Sequence, residues 1–199
     1  MNKVYLITPN NLDKKFYFFL PKVLATKKVK FLQLRCKKYS VVKIQNHIKK
    51  ILPISKKYKV KLIVNDNAWI ANKFKNVGFH LGQKDLLNNK NKIIIKKKIY
   101  FGITCHNSLD LAKKAIKLNA NYIAFGAFFS TKTKKTKYIA KKKILLKAKN
   151  LKTKIVAIGG ITNQNYNELL ENGADYIAVS SFVWKNKDFN PDQAIKLFK

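Results

Sequence analysis

The chain has 199 residues, 47% of them hydrophobic, with 43 Lys and Arg against nine Asp and Glu, for a net charge of +34. That length suits one domain across 1–199, and the apolar share is too high for a disordered chain. No apolar run is long enough to cross a bilayer, no secretory pattern precedes the first strand, and the two cysteines lack metal-ligand spacing; a cytoplasmic protein without membrane attachment is expected. The lysines are spread over every expected helix, which reads as biased residue usage on a solvated surface, so no specific nucleic-acid partner is expected.

Short β-branched and aromatic runs recur at 4–8, 31–35, 61–66, 77–82, 99–104, 122–127, 154–159 and 176–181. Each is nearly continuous in apolar residues, as parallel strands covered on both faces are. Amphipathic segments lie between them at 12–25, 41–52, 67–75, 108–118, 139–149, 163–172 and 191–198, with a barely helical piece at 85–92. Segment 41–52 spaces Val41, Ile44, Ile48 and Ile51 by three and four behind a Ser40 cap, with Pro53 expected to end or kink it. Segment 108–118 sets Leu111, Ala115 and Leu118 on one face, and 163–172 stops at Gly173. Eight strand-then-helix units predict an α/β fold, a compact (β/α)8 barrel; a doubly wound open sheet is the alternative.

Chemistry in such a barrel belongs where strands end and the following loops begin. Those positions hold Arg35, Lys37, Asn65, Asp66, Gly82, Gln83, Asp85, Gly102, Thr104, His106, the run Ser130-Thr131-Lys132-Thr133-Lys134, Gly159-Gly160, and Ser180-Ser181. Arg35 is the sole arginine. Its planar, always-charged fork grips phosphate or carboxylate through paired hydrogen bonds, so an arginine at a strand end reads as an anion clamp. Asp66 and Asp85 follow adjacent strands and can face one point, where oxygen ligands suit Mg2+; an Asx turn and a helix cap are the plain alternatives.

Loops after the seventh and eighth strands of a barrel commonly bind phosphate, which gives Gly159-Gly160 and Ser180-Ser181 a role. One cation with Arg35, Lys37 and Lys134 is more charge than a monophosphate needs. It suits a diphosphate, with a separate monophosphate held elsewhere. No nucleophile is evident: Cys36 and Cys105 should turn away from the mouth as small hydrophobes, His47 lies on a helix, and His80 sits within a strand. His106, at the mouth, could be acid, base or loop anchor. Cations around a diphosphate without a nucleophile imply electrostatic help for a leaving group.

The segments Tyr5-Leu6-Ile7-Thr8, Gln33-Leu34-Arg35-Cys36-Lys37, Val64-Asn65-Asp66, His80-Leu81-Gly82-Gln83-Lys84-Asp85, Gly102-Ile103-Thr104-Cys105-His106, Thr131-Lys132-Thr133-Lys134 and Ala157-Ile158-Gly159-Gly160-Ile161 run in the order found in one family. In these the chain resembles the thiamine phosphate synthase family over essentially its whole length. The resemblance implies a transferase that joins 4-amino-2-methyl-5-hydroxymethylpyrimidine diphosphate to a thiazole phosphate. It further implies that Gln33, Arg35, Lys37, Asn65, Thr104 and Lys134 hold the pyrimidine diphosphate, Asp66 and Asp85 bind Mg2+, and Thr131, Thr133, Gly160, Ser180 and Ser181 hold the thiazole phosphate. Arg35, Lys37, Thr104 and Lys134 would then be the catalytic residues, and a homo-oligomer is left open.

The chain departs from that family's pattern in four places. An acidic residue is usual at Cys36, a serine at Thr104, a second aspartate at Asn67 and a proline near Ala127. Thr104 keeps the hydroxyl, whereas Cys36 and Asn67 remove acidic charge beside the cation. A related thiazole tautomerase shares the barrel and would use His106, and a basic nucleic-acid-binding barrel or a silent phosphate binder are readings of other kinds. The complete set of Asn65-Asp66, Asp85 and Thr-x-Thr-Lys favours the synthase.

Overall fold

In a computed structural model of the chain, residues 2–130 and 139–199 are described. Their strands are Val4–Ile7 (β1), Val29–Leu34 (β2), Lys61–Asn65 (β3), Gly78–Leu81 (β4), Phe101–His106 (β5), Tyr122–Gly126 (β6), Lys154–Ile158 (β7) and Tyr176–Val179 (β8). Each pairs in parallel with the next, and β8 returns to β1, closing the barrel. The helices among these residues are Lys14–Ala25 (α1), Val41–Lys57 (α2), Ala68–Ala71 (α3), Asn89–Ile95 (α4), Leu109–Lys117 (α5), Lys143–Ala148 (α6), Asn167–Glu171 (α7), Ser181–Trp184 (α8) and Pro191–Lys196 (α9). The expected (β/α)8 architecture is the one found.

Strand alternation sorts the apolar residues into two shells. Leu6, Leu32, Leu34, Val64, Phe79, Ile103 and Phe125 point outward and pack under the helices. Tyr5, Ile7, Phe31, Ile63, Tyr122, Ala124, Val156 and Ala178 point inward and fill the barrel. The centre of the inner shell is an aromatic cluster: Phe31 lies 5.1–6.1 Å, centroid to centroid, from Tyr5, Tyr100, Tyr122 and Tyr176. Gly102 makes room for this, since a Cβ there would stand 2.1 Å from the Tyr122 ring. Burying a large apolar side chain contributes roughly 1.5–3 kcal/mol, so the plug is a main support of the barrel.

Several element boundaries differ from the sequence expectation. The second helix passes Pro53 and ends at Lys57; Pro53 is exposed, so the carbonyl it leaves unbonded can meet water. The Ser40 cap does form, its hydroxyl accepting from Lys43 N at 3.3 Å. In α5 the buried positions are Ala112 and Ala115, while Leu118 is 40% exposed; the face is rotated because the residue lies beyond the helix's last turn. The seventh helix begins at Asn167 rather than Asn163, because Asn165 folds back to accept from Thr162 N and donate to Gly160 O. After β4 a 3-10 turn at Asp85–Leu87 precedes α4, and the short α8 falls where only a strand end was expected.

Candidate active site

The described residues expected to bind ligands lie at the C-terminal ends of the strands, and the way each is held differs around the mouth. Thr8, just past β1, is 2% exposed and ties three strands together. Its N donates to Gln33 O at 2.9 Å, its Oγ1 accepts from Arg35 N at 3.0 Å, and its carbonyl accepts from Ser180 Oγ at 3.4 Å. Arg35 is therefore half-buried with its backbone fixed, and its Nη1 donates to Asn10 Oδ1 at 3.1 Å. Its guanidinium is near enough to favour the ionised form of Asp66.

Asp66 follows β3 with φ +66°, a left-handed conformation that Asp tolerates better than most residues. Its N donates to His80 O at 2.9 Å, and the Lys37 ammonium lies 4.0 Å from its carboxylate. Asp85 opens the 3-10 turn, and its Oδ2 accepts from Gly82 N at 3.0 Å, leaving the other oxygen for a second partner. The two carboxyl groups face each other. Burial first, then the charge of Asp85 and a hydrogen bond to it, push Asp66 up to about 6, against the opposing pull of Lys37 and Arg35. A pair of oxygen donors that repel each other beside a half-buried arginine has the chemistry of a site for a hard divalent cation. Asn65 ends β3, and Asn67, where charge was expected to be missing, donates to Asn65 O at 3.4 Å.

Beneath the mouth runs a buried hydrogen-bond chain that sequence reasoning missed. Gln33 Nε2 donates to Tyr5 Oη at 3.0 Å, Tyr5 Oη meets Tyr122 Oη at 2.8 Å, Tyr122 Oη meets His80 Nδ1 at 3.0 Å, and His80 Nε2 meets Thr104 Oγ1 at 2.8 Å. Burial lowers His80 to about 4, so its ring is neutral at physiological pH. The chain thus joins Gln33 to Thr104 through two tyrosine hydroxyls and both ring nitrogens of His80, and Thr104 Oγ1 is held from below by the imidazole. Tyr122, 1% exposed, is held by Tyr5 and His80 at once, so its hydroxyl lies buried without cost. His80 was expected to be structural; its place between Tyr122 and Thr104 makes it the support of an expected ligand-binding hydroxyl.

The far side of the mouth is made mainly of backbone. Gly159 and Gly160 follow β7 with φ +105° and +62°, and a Cβ on Gly160 would lie 2.4 Å from Ser130 O. Only glycine allows that approach without displacement. Ser180 is half-buried and anchored to Thr8, while Ser181 is exposed at the first turn of α8. Thr131, Thr133 and Lys134 lie outside the described residues. Cys36 and Cys105 are buried, their thiols pushed up to about 12 by burial, so neither is an available nucleophile. His106 closes β5 with φ +52°, at a register shift against β6 between Thr104 and His106. His47 is not a plain surface residue: it stacks between Tyr17 and Tyr39, with Nδ1 at 2.6 Å from Tyr17 Oη.

The whole arrangement has known counterparts. Residues 4–183 match a family model described as thiamine monophosphate synthase. A thiamine-phosphate synthase of Pelagibacter ubique is 48% identical over 198 residues, covering 98% of this chain and 95% of that protein. One from Xylella fastidiosa is 31% identical, covering 98% and 82%. Among solved structures, thiamine phosphate pyrophosphorylase from Pyrococcus furiosus superposes with a TM-score of 0.84 at 27% identity, over 99% of this chain and 93% of that one. The match runs from the first strand through the eighth, taking in every described part of the mouth, and the chain belongs to the thiamine monophosphate synthase family, a family of transferases.

Proposed function

We propose that the chain makes thiamine phosphate by transferring the 4-amino-2-methylpyrimidin-5-ylmethyl group from its diphosphate to a thiazole phosphate. The observation that carries this reading is the gathering of Arg35, Lys37, Asp66 and Asp85 at one side of the mouth. In the reaction the bond between the pyrimidine methylene carbon and the diphosphate oxygen breaks, its electron pair leaving with pyrophosphate. The thiazole nitrogen lone pair then forms the new C–N bond to the pyrimidine cation. Arg35 and Lys37 stabilise the negative charge that grows on the departing oxygen, with Lys134 as a third cation from outside the described residues. Asp66 and Asp85 would hold Mg2+, which when bound neutralises diphosphate charge. Gln33, Asn65 and Thr104 hold the pyrimidine diphosphate, Thr104 with its hydroxyl oriented by His80.

The thiazole phosphate lies across the opening, on Gly160, Ser180 and Ser181 with Thr131 and Thr133, close enough to the methylene carbon to trap the cation. On this reading residues 1–199 act as one domain, in the cytoplasm, on small-molecule substrates, as monomer or homo-oligomer and without nucleic acid or membrane. Among the described residues no helix is long and apolar enough to cross a membrane. The test is to incubate the protein with Mg2+ and both substrates and follow pyrophosphate and thiamine phosphate together. Stoichiometric release of both, lost in Asp66→Ala, is expected. Absence of turnover in the wild type, or undiminished turnover in Asp66→Ala, overturns the reading, and metal-independent isomerisation of the thiazole phosphate alone would assign a tautomerase.

A further inference from the structure

Asn91 lies on α4 and is 2% exposed. Its carboxamide is engaged on every side. The oxygen accepts from Ala68 N at 3.0 Å, and the nitrogen donates to Asp66 O at 2.9 Å and to Asp85 O at 3.0 Å. The orientation of the amide is fixed by its partners, because one of them can only donate and the other two can only accept. A single side chain therefore holds the backbone of both carboxylate residues and the first turn of α3, which receives no cap from Asn67.

This placement answers a physical problem. Two facing carboxylates repel each other, and each stands on a short loop that could swing outward to relieve the repulsion. Asp66 adds its own strain through its positive φ. Because the two loops share one buried amide, neither can move away without breaking a hydrogen bond in a place water does not reach.

We infer that Asn91 is a positioning residue that holds Asp66 and Asp85 together ahead of cation binding, so that the pair is already converged when a divalent metal arrives. The inference rests on the reading of Asp66 and Asp85 as the cation-holding pair. Groups that orient metal ligands typically change metal affinity by about 10–100-fold when removed. Asn91 should do so while leaving the chemistry at saturating metal largely intact.

The experiment measures Mn2+ binding by electron paramagnetic resonance of the free ion, with inorganic pyrophosphate present, alongside the Mg2+ concentration giving half-maximal turnover. In Asn91→Ala the Mn2+ dissociation constant should rise about 10–100-fold, the Mg2+ requirement should rise in parallel, and turnover at saturating Mg2+ should return most of the way to wild type. Where Asn91→Ala does not fold, Asn91→Ser serves, keeping one donor and one acceptor at shorter reach. Asn88→Ala is the comparison, because it removes the side-chain cap on Lys90 N at the start of the same helix while its backbone N–H stays on Asp85 O and the Asn91 amide keeps all its partners. An unchanged Mn2+ affinity in the Asn91 variant overturns the inference, as does an equal loss in Asn88→Ala, which would reduce Asn91 to general support of α4. Wild-type Mn2+ affinity in Asp66→Ala is a different result, since it removes the cation pair itself.

Discussion

The two halves of the barrel mouth are built from different materials. From β1 to β5, side chains do the holding: Arg35 is fixed through Thr8, Asp66 and Asp85 face each other, and Thr104 rests on His80. From β7 to β8, the wall is glycine backbone in left-handed conformations, with one anchored serine. The first half can set charge, and the second can set shape. A diphosphate that departs needs the first, and a phosphate that is merely held needs only the second, so truncating side chains and adding a Cβ should damage different steps.

The largest effect is expected at Arg35. Arg35→Ala should lower kcat/KM by about 10^2–10^3-fold in a pyrophosphate-release assay, the loss typical of one donor to developing charge. Arg35→Lys should restore little, because an ammonium cannot make the forked contact. Equal losses from Ser180→Ala would erase the distinction between the halves.

Beneath the charged half, His80 links the floor to pH. Its folded value of about 4 lies below the ordinary 6.5, so the unfolded chain binds a proton that the folded chain refuses. Its contribution is complete above 6.5 and is lost as pH falls from there through about 4, amounting to about 3 kcal/mol. Because the raised Asp66 contributes with the opposite sign over the same window, urea unfolding between pH 7 and 4 should show this decline in Asp66→Asn, and adding His80→Gln should flatten it. A pH-independent Asp66→Asn protein would mean the imidazole is not held neutral.

On the backbone half, Gly160→Ala should raise the KM for the thiazole phosphate about 10-fold, since the added methyl must displace Ser130 O and the residue must keep a positive φ. The pyrimidine diphosphate KM should move far less in the same titrations. Ser180→Ala should be the mildest change, raising the thiazole phosphate KM about 2–5-fold, because its hydroxyl loses one net hydrogen bond of modest value. Should that substitution affect the pyrimidine diphosphate instead, through Thr8 and Arg35, the two halves are coupled more tightly than their construction suggests.

The barrel could be read from the chain because its strands are nearly continuous apolar runs and its polar residues gather where those runs stop. Arg35, Asp66 and Asp85 stood out for the same reason, scarce residue types at strand ends. What escaped notice depends on pairings that no local window contains. Tyr5 and Tyr122 are 117 positions apart, and their contact exists only once the barrel has closed. Asn91 looked like one more polar residue in a Lys- and Asn-rich helix, and only the close approach of the β3 and β4 loops gives it three partners. Helix lengths failed where a side chain outcompeted the helix, as Asn165 does before α7. Pro53 shows the opposite error, a breaker tolerated because its side of the helix is wet.

The ring of Tyr122, admitted by the missing side chain of Gly102, shuts the cylinder halfway down. What remains is a cup entered from the face where the strands end, so the charged wall and the glycine wall share one approach, and a methyl group at position 102 would disturb the floor beneath both.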